Sequence, residues 1–157
     1  HKTVSNWMDI LERFYYHFRI YPFTNKKIKS LKKEPKLYLW DWSEITDNNG
    51  AKLENVVASH LLKLCHYLHD VNDYKTELCF LRDIDGREVD FLVTNDGKPW
   101  FAVEVKSSSK EISKSLTYFG NKLNIPFLYQ IVDEKNIDIR KDKIRILSLE
   151  KFLLSLV

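Results

Sequence analysis

Two acids and a lysine in a pair of neighbouring apolar runs constrain this chain most. The first run is Glu88-Val89-Asp90-Phe91-Leu92-Val93, and the second, Trp100 to Ser107, contains Glu104-Val105-Lys106. Between them, Thr94-Asn95-Asp96-Gly97-Lys98-Pro99 carries the turn formers Asn-Asp-Gly and Pro, so the two runs are predicted to form an antiparallel hairpin. Side chains two apart in a strand share a face. Ala102, Glu104 and Lys106 are therefore expected on one side, with Phe101, Val103 and Val105 on the other. Glu88 and Asp90 are expected opposite Val89, Phe91 and Val93. Charged groups buried without partners cost several kcal/mol. A divalent cation held by Asp90 and Glu104, with Lys106 beside it, would account for them.

The flanking sequence predicts the layers around that hairpin. Asp47-Asn48-Asn49-Gly50 offers caps for a helix from Ala51 to about Asp70, whose apolar stripe is Leu53, Val56, Val57, Leu61, Leu64 and Leu68. Glu54 falls in the first turn and, counted by threes and fours, aligns with Val57, Ala58 and Leu61, so it points towards the core side. Tyr74 to Arg82 alternates as a strand, and Asp83-Ile84-Asp85-Gly86 is a turn. Ser107-Ser108-Ser109 starts a helix carrying Ile112, Leu116, Phe119 and Leu123. The nearly continuous apolar run Phe127–Val132 then reads as a strand buried on both faces and added through a crossover. Ile144–Leu147 is a last short strand, and Ser148 caps a terminal helix.

Ahead of residue 48, a helix with the apolar side Val4, Trp7, Met8, Leu11 and Phe14 precedes two strands, Tyr15–Phe23 and Leu37–Trp40. A helix followed by a hairpin is reminiscent of the last helix and wing of a winged-helix module. The hairpin tip carries Lys26, Lys27, Lys29, Lys32, Lys33 and Lys36. Such a run is usually a solvated loop; beside a candidate metal site at Asp90 and Glu104 it becomes a candidate nucleic-acid contact. The chain thus divides into a winged-helix-like segment, 1–47, and a main domain, 48–157. At 157 residues with a net charge of +3, it is one ordinary domain with a small appendage, mildly basic.

Asp90 followed by Glu104-Val105-Lys106 resembles the PD-(D/E)XK pattern, with Val89 where the pattern has Pro. From Val4 to Lys106 the chain also resembles the C-terminal domain of a family of prokaryotic AAA-type ATPases. The marks are Pro35-Lys36-Leu37-Tyr38 with Asp41, Leu53-Glu54-Asn55-Val56-Val57, Gly86-Arg87-Glu88-Val89-Asp90-Phe91 and Val103-Glu104-Val105-Lys106. The resemblance implies a restriction-endonuclease-like α/β/α sandwich with a mixed sheet. It also implies an upstream ATPase module in the parent chain, which no G-x-x-x-x-G-K-[ST] loop in this piece could replace, so this fragment has no ATP site.

On that reading Glu54, Asp90 and Glu104 would hold Mg²⁺ or Mn²⁺, hard cations that prefer oxygen ligands. Lys106 would stand by the attacking water, and Glu54, Asp90, Glu104 and Lys106 would together hydrolyse a phosphodiester of DNA. Glu88 is a spare ligand or a partner of Arg87 or Lys106. The alternative is a catalytically inactive nuclease-like module that binds DNA or docks the ATPase partner, its lysine and acids forming a charge network. A further possibility is an interaction domain with Tyr15, Tyr16, Tyr21 and Trp42 as an exposed patch. No run approaches the ~20 apolar residues of a membrane span. Cys65 and Cys79 read as buried free thiols, and a cytoplasmic protein follows by default. The oligomeric state is left open.

Overall fold

The computed structural model describes residues 2–24, 34–46 and 48–156. In chain order its elements are α1 (Lys2–Arg13), β1 (His17–Pro22), β2 (Lys36–Leu39), a single 3-10 turn (Trp42–Glu44) and α2 (Asn49–Asn72). Then come β3 (Thr76–Arg82), β4 (Glu88–Asn95), β5 (Lys98–Lys106), α3 (Lys114–Leu123), β6 (Phe127–Val132), β7 (Asp138–Lys141), β8 (Ile144–Ser148) and α4 (Leu149–Leu154). The strands make one mixed sheet in the order β2-β1-β3-β4-β5-β6-β8-β7. Pairing is antiparallel for β1–β2, β3–β4, β4–β5 and β7–β8, and parallel for β1–β3, β5–β6 and β6–β8.

Helices cover both faces. On one side Val57, Ala58 and Leu61 of α2 pack with Phe91, Val103 and Ile131 of the sheet, and α4 adds Phe152. On the other, Leu116, Phe119 and Leu123 of α3 pack with Leu92, Ala102 and Leu128. Cover on both faces explains why β4, β5 and β6 read as nearly unbroken apolar runs.

The helix and hairpin expected before residue 48 are present, but the hairpin does not stand apart as a wing. β1 pairs in parallel with β3, and Phe18, Ile20 and Tyr38 enter the same core as α2. One sheet and one core therefore run across the expected division. Asn55 of α2 fastens the outer edge: Leu39 N donates to its Oδ1 at 2.8 Å and its Nδ2 donates to Leu39 O at 2.7 Å. A buried side-chain amide thus takes the role of one more strand for β2.

Several local expectations need correction. α2 starts at Asn49 because Asn48 caps it, accepting from Ala51 N. The β4–β5 turn is tighter than expected, with Asp96 at φ 49° and Gly97 at φ 69°, the left-handed pair that matches strand twist. Pro99 accordingly falls inside β5, opposite Thr94, where the pairing steps out of register. α3 begins at Lys114 rather than at the serine triplet. Ser109 is drawn to Glu134, Ser113 N is held by Gln130 Oε1, and Ser113 Oγ provides the cap. β7 was not expected, its Asp-Ile-Arg-Lys sequence being that of an exposed polar edge.

The most consequential departure is in β4. Between the pairs Cys79↔Leu92 and Leu81↔Val89, β3 advances two residues and β4 three, so β4 carries a bulge that contains Asp90. Val89 consequently joins Leu92 on the α3 side, while Phe91 and Val93 face α2. The expected common face of Val89, Phe91 and Val93 is broken there, and bulges of this kind re-aim a side chain.

Candidate functional site

Re-aimed by the bulge, Asp90 addresses α2 and the hairpin. Its Oδ1 accepts from Lys36 Nζ at 3.1 Å, and its Oδ2 accepts from the backbone N–H of Val105 at 2.9 Å. Lys36 is the hub. Its ammonium also lies 3.1 Å from Glu54 Oε1 and 2.8 Å from Glu88 Oε1, and 5.6 Å from the centre of the Phe80 ring. Tyr38, one turn of the pleat further along β2, donates its hydroxyl to Glu54 Oε1 at 2.6 Å. Glu88 completes the group by accepting from Arg82 Nε at 2.6 Å.

Glu104 and Lys106 form a second, adjoining pair. Glu104 shares the strand parity of Ala102, hence the α3 side. Its Oε1 lies 2.8 Å from Lys106 Nζ, and its Oε2 accepts weakly from Asp90 N at 3.4 Å. Glu104 is buried, whereas Lys106 is 46% exposed and opens on a groove lined by Ser107, Ser108, Lys110 and Lys114.

Crowded acids in a dry site shift one another's protonation. Burial, then Glu104 and Glu54, push the Asp90 carboxyl up to about 6, against the opposing pull of Lys36 and the Val105 N–H. Burial disfavours the Lys36 ammonium, but Asp90, Glu54 and Glu88 outweigh it and raise its pKa well above the usual lysine value. Glu88 is held below its ordinary range despite burial, by Arg82 and Lys36. Lys36 is therefore a fixed cation, and Tyr38, whose phenol burial and Glu54 push up, is a fixed donor.

Glu54 is turned inward and meets Asp90 through Lys36, whereas Glu104 and Lys106 project to the α3 side of the sheet, where Glu104 touches Asp90 only through its backbone N–H at 3.4 Å. The acids do not form an oxygen cage. Among the described residues no three His, Cys, Asp or Glu side chains are grouped to hold one metal ion. The physical reason is visible in the bonds: the near oxygens of Glu54, Glu88 and Asp90 converge on Lys36, and Glu104 turns to Lys106. As placed, the acids do not fit the Mg²⁺ or Mn²⁺ expected at Asp90, Glu104 and Glu54.

Two site residues are not among those the sequence singles out for chemistry. Lys36 reads as one of the solvated lysines of the hairpin tip, yet its side chain is only 17% exposed. Lys36 and Tyr38 both stand in the Pro35-Lys36-Leu37-Tyr38 mark of the family resemblance, which carries no role for either, and the apolar strand pattern that starts beside Lys36 is the signal that puts this lysine in the sheet rather than the loop. Glu88 pairs with Arg82 and Lys36, not with Arg87 or Lys106, because Arg87 is occupied by Asp83 at 2.9 Å and Asp85 at 2.6 Å. Lys26, Lys27, Lys29, Lys32 and Lys33, the expected nucleic-acid contacts, lie outside the described residues.

The aromatics expected at the surface, Tyr15, Tyr16, Tyr21 and Trp42, are each exposed. So are Val4 and Trp7 of α1, at 67% and 63%, and Phe14 just after it, at 79%, while Met8 and Leu11 of the same apolar side are half-buried. Among the described residues no helix is long and apolar enough to cross a membrane. Cys65 is buried and Cys79 half-buried, both as free thiols.

Fold and site together define a mixed α/β domain whose sheet holds a cluster of acids neutralised by the chain's own lysines. Residues 49–152 match the family model described as a domain of unknown function (DUF4143), and the chain belongs to that family. Residues 1–45 match a second model, also described as a domain of unknown function (DUF8612). No curated protein and no solved structure matches the chain.

Proposed function

We propose that this chain is a restriction-endonuclease-like module of the PD-(D/E)XK kind that docks rather than cuts. Its apolar N-terminal face seats against an ATPase module of the same parent protein. The fold reading is supported by the succession of a capped helix, three antiparallel strands, a crossover helix and a parallel strand, with Asp90 and Glu104-Val105-Lys106 on the second and third of those strands. The ATPase partner is supported by the family, whose domain is common at the C-termini of AAA-type ATPases. The observation that carries the silent reading is the Lys36 ammonium among Glu54, Glu88 and Asp90. A divalent ion and an ammonium cannot share those oxygens. Docking is supported by the exposed apolar residues Val4, Trp7 and Ile10 of α1 and Phe14 after it, since exposed apolar surface of this kind marks interaction sites.

The test has two arms. Mixed with the parent ATPase module, the chain should bind it, and Trp7→Glu with Phe14→Glu should weaken that binding without lowering the chain's own melting temperature. Incubated with DNA and Mn²⁺, it should leave the DNA intact.

A second reading, metal-dependent hydrolysis of DNA, is favoured by the contact of Asp90 with Glu104 and of Glu104 with Lys106 on adjacent strands, and it requires Lys36 to leave. Mn²⁺-dependent cleavage that disappears in Asp90→Ala, Glu104→Ala and Lys106→Ala would establish it and overturn the first.

A further inference from the structure

We infer that the N-terminal segment completes the carboxylate site of the domain that follows it: Lys36 is a built-in cation standing in place of a metal, and Tyr38 positions the acid it bridges. This deepens the silent reading above and rests on it only for the site's identity. Lys36 and Tyr38 both belong to the 1–45 stretch, whereas Glu54, Glu88 and Asp90 belong to the 49–152 stretch. The ammonium therefore links three elements, β2, α2 and β4, across that boundary.

Charge arithmetic makes the link necessary. Glu54, Glu88 and Asp90 bring three negative charges together, and Glu104, already matched by Lys106, adds its field from below. Among the described residues the other cation paired with any of the three is Arg82, and it reaches Glu88 alone. Removing one partner of a buried ion cluster leaves the others uncompensated, a far larger penalty than the net value of the cluster itself. Glu54 approaches from α2 and Glu88 and Asp90 from β4, so their mutual repulsion would push α2 and β4 apart. Lys36 turns that repulsion into a clasp. Its fit is specific: three carboxylate oxygens, one for each N–H donor, lie within 3.1 Å, and the ammonium also sits over the Phe80 ring, 5.6 Å from its centre.

The experiment compares wild type, Lys36→Met, Lys36→Arg, Glu54→Gln and Lys36→Met/Glu54→Gln by thermal melting, each with EDTA and with millimolar Mn²⁺. Wild type should melt at the same temperature in both solutions. Lys36→Met, which keeps length and loses charge, should melt roughly 5–10 °C lower. Lys36→Arg should lose less than half of that. In the Glu54→Gln background the Lys36→Met loss should shrink to half or less, because one acid no longer needs a counter-charge. Should Lys36→Met fail to fold, recovery of folded protein in the double variant and in Lys36→Arg carries the same conclusion. The inference is overturned if Lys36→Met melts within about 2 °C of wild type, if its loss is the same in the Glu54→Gln background, or if Mn²⁺ raises the wild-type melt by several degrees. Cleavage of DNA by the wild type, or absence of ATPase binding, would defeat the docking proposal while leaving these melts to stand.

Discussion

Replacing Tyr38 with Phe isolates one bond of the cluster. The ring is buried and stays in place between Phe18 and Phe91, whose ring centres each lie 5.7 Å from its own. Only the hydroxyl goes, and with it the 2.6 Å bond to Glu54 Oε1. That oxygen keeps Lys36 at 3.1 Å, so no charge is stranded. A hydrogen bond to a charged acceptor is worth about 1.5–3 kcal/mol. For a chain of this size each kcal/mol moves the melting temperature by about 2–4 °C, so Tyr38→Phe should melt roughly 3–12 °C below wild type. Because the bond is charge-assisted, the loss should fall by about 1 kcal/mol when Glu54 is Gln, which a double-mutant cycle by denaturant titration reads directly. A Tyr38→Phe melt within about 1 °C of wild type, or strict additivity with Glu54→Gln, would refute the claim that the hydroxyl serves this acid.

Other outcomes follow from the same geometry. Asp90, pushed up to about 6 from 3.8, binds a proton more readily folded than unfolded, so its contribution to stability is poorest above about pH 6 and improves as pH falls through that value. The shift is worth roughly 3 kcal/mol, and the wild-type melting temperature should rise between about pH 7.5 and 5, a rise that Asp90→Asn should flatten. At lower pH still, protonation of Glu88, held below its ordinary range, removes stability again and turns the profile over. A Cβ on Gly120 would fall 2.5 Å from Leu128 Cδ1, so Gly120→Ala should cost about 1–2 kcal/mol despite alanine's better helix propensity, and Leu128→Val beside it should recover part of the loss in denaturant titrations. Ser113→Ala removes the α3 cap at Leu116 N and should cost about 1 kcal/mol, seen as earlier amide exchange in the first turn of α3.

What the sequence disclosed, it disclosed through short-range pattern. The β4–β5 hairpin, the capped α2 with Glu54 on its inner side, and the crossover into β6 all follow from periods of two and 3.6 and from turn residues read within about ten positions. Asp90, Glu54, Glu104 and Lys106 were placed together on that basis and by resemblance. Lys36 was not, because its partners lie 18 and 54 positions away at Glu54 and Asp90, and its neighbours are lysines of a loop. The bulge that turns Asp90 towards it depends on how β3 and β4 pair, a matter of long-range register that a one-residue excess changes without a mark in the local sequence. Asn55 is hidden for a similar reason: an amide in a helix shows its purpose only when the unpaired edge of β2 is set beside it. The polar β7 exists because β8 offers it an edge, not because Asp138–Lys141 favours a strand.

Whether the chain's own ammonium occupies the place expected for a metal is answered most directly by crystals grown in millimolar Mn²⁺, with diffraction recorded at the manganese absorption edge. The account predicts no anomalous peak between Asp90 and Glu104, and density for Lys36 Nζ within hydrogen-bond reach of Glu54, Glu88 and Asp90. A manganese peak at those carboxylates, with the Lys36 side chain swung away from them, would contradict it.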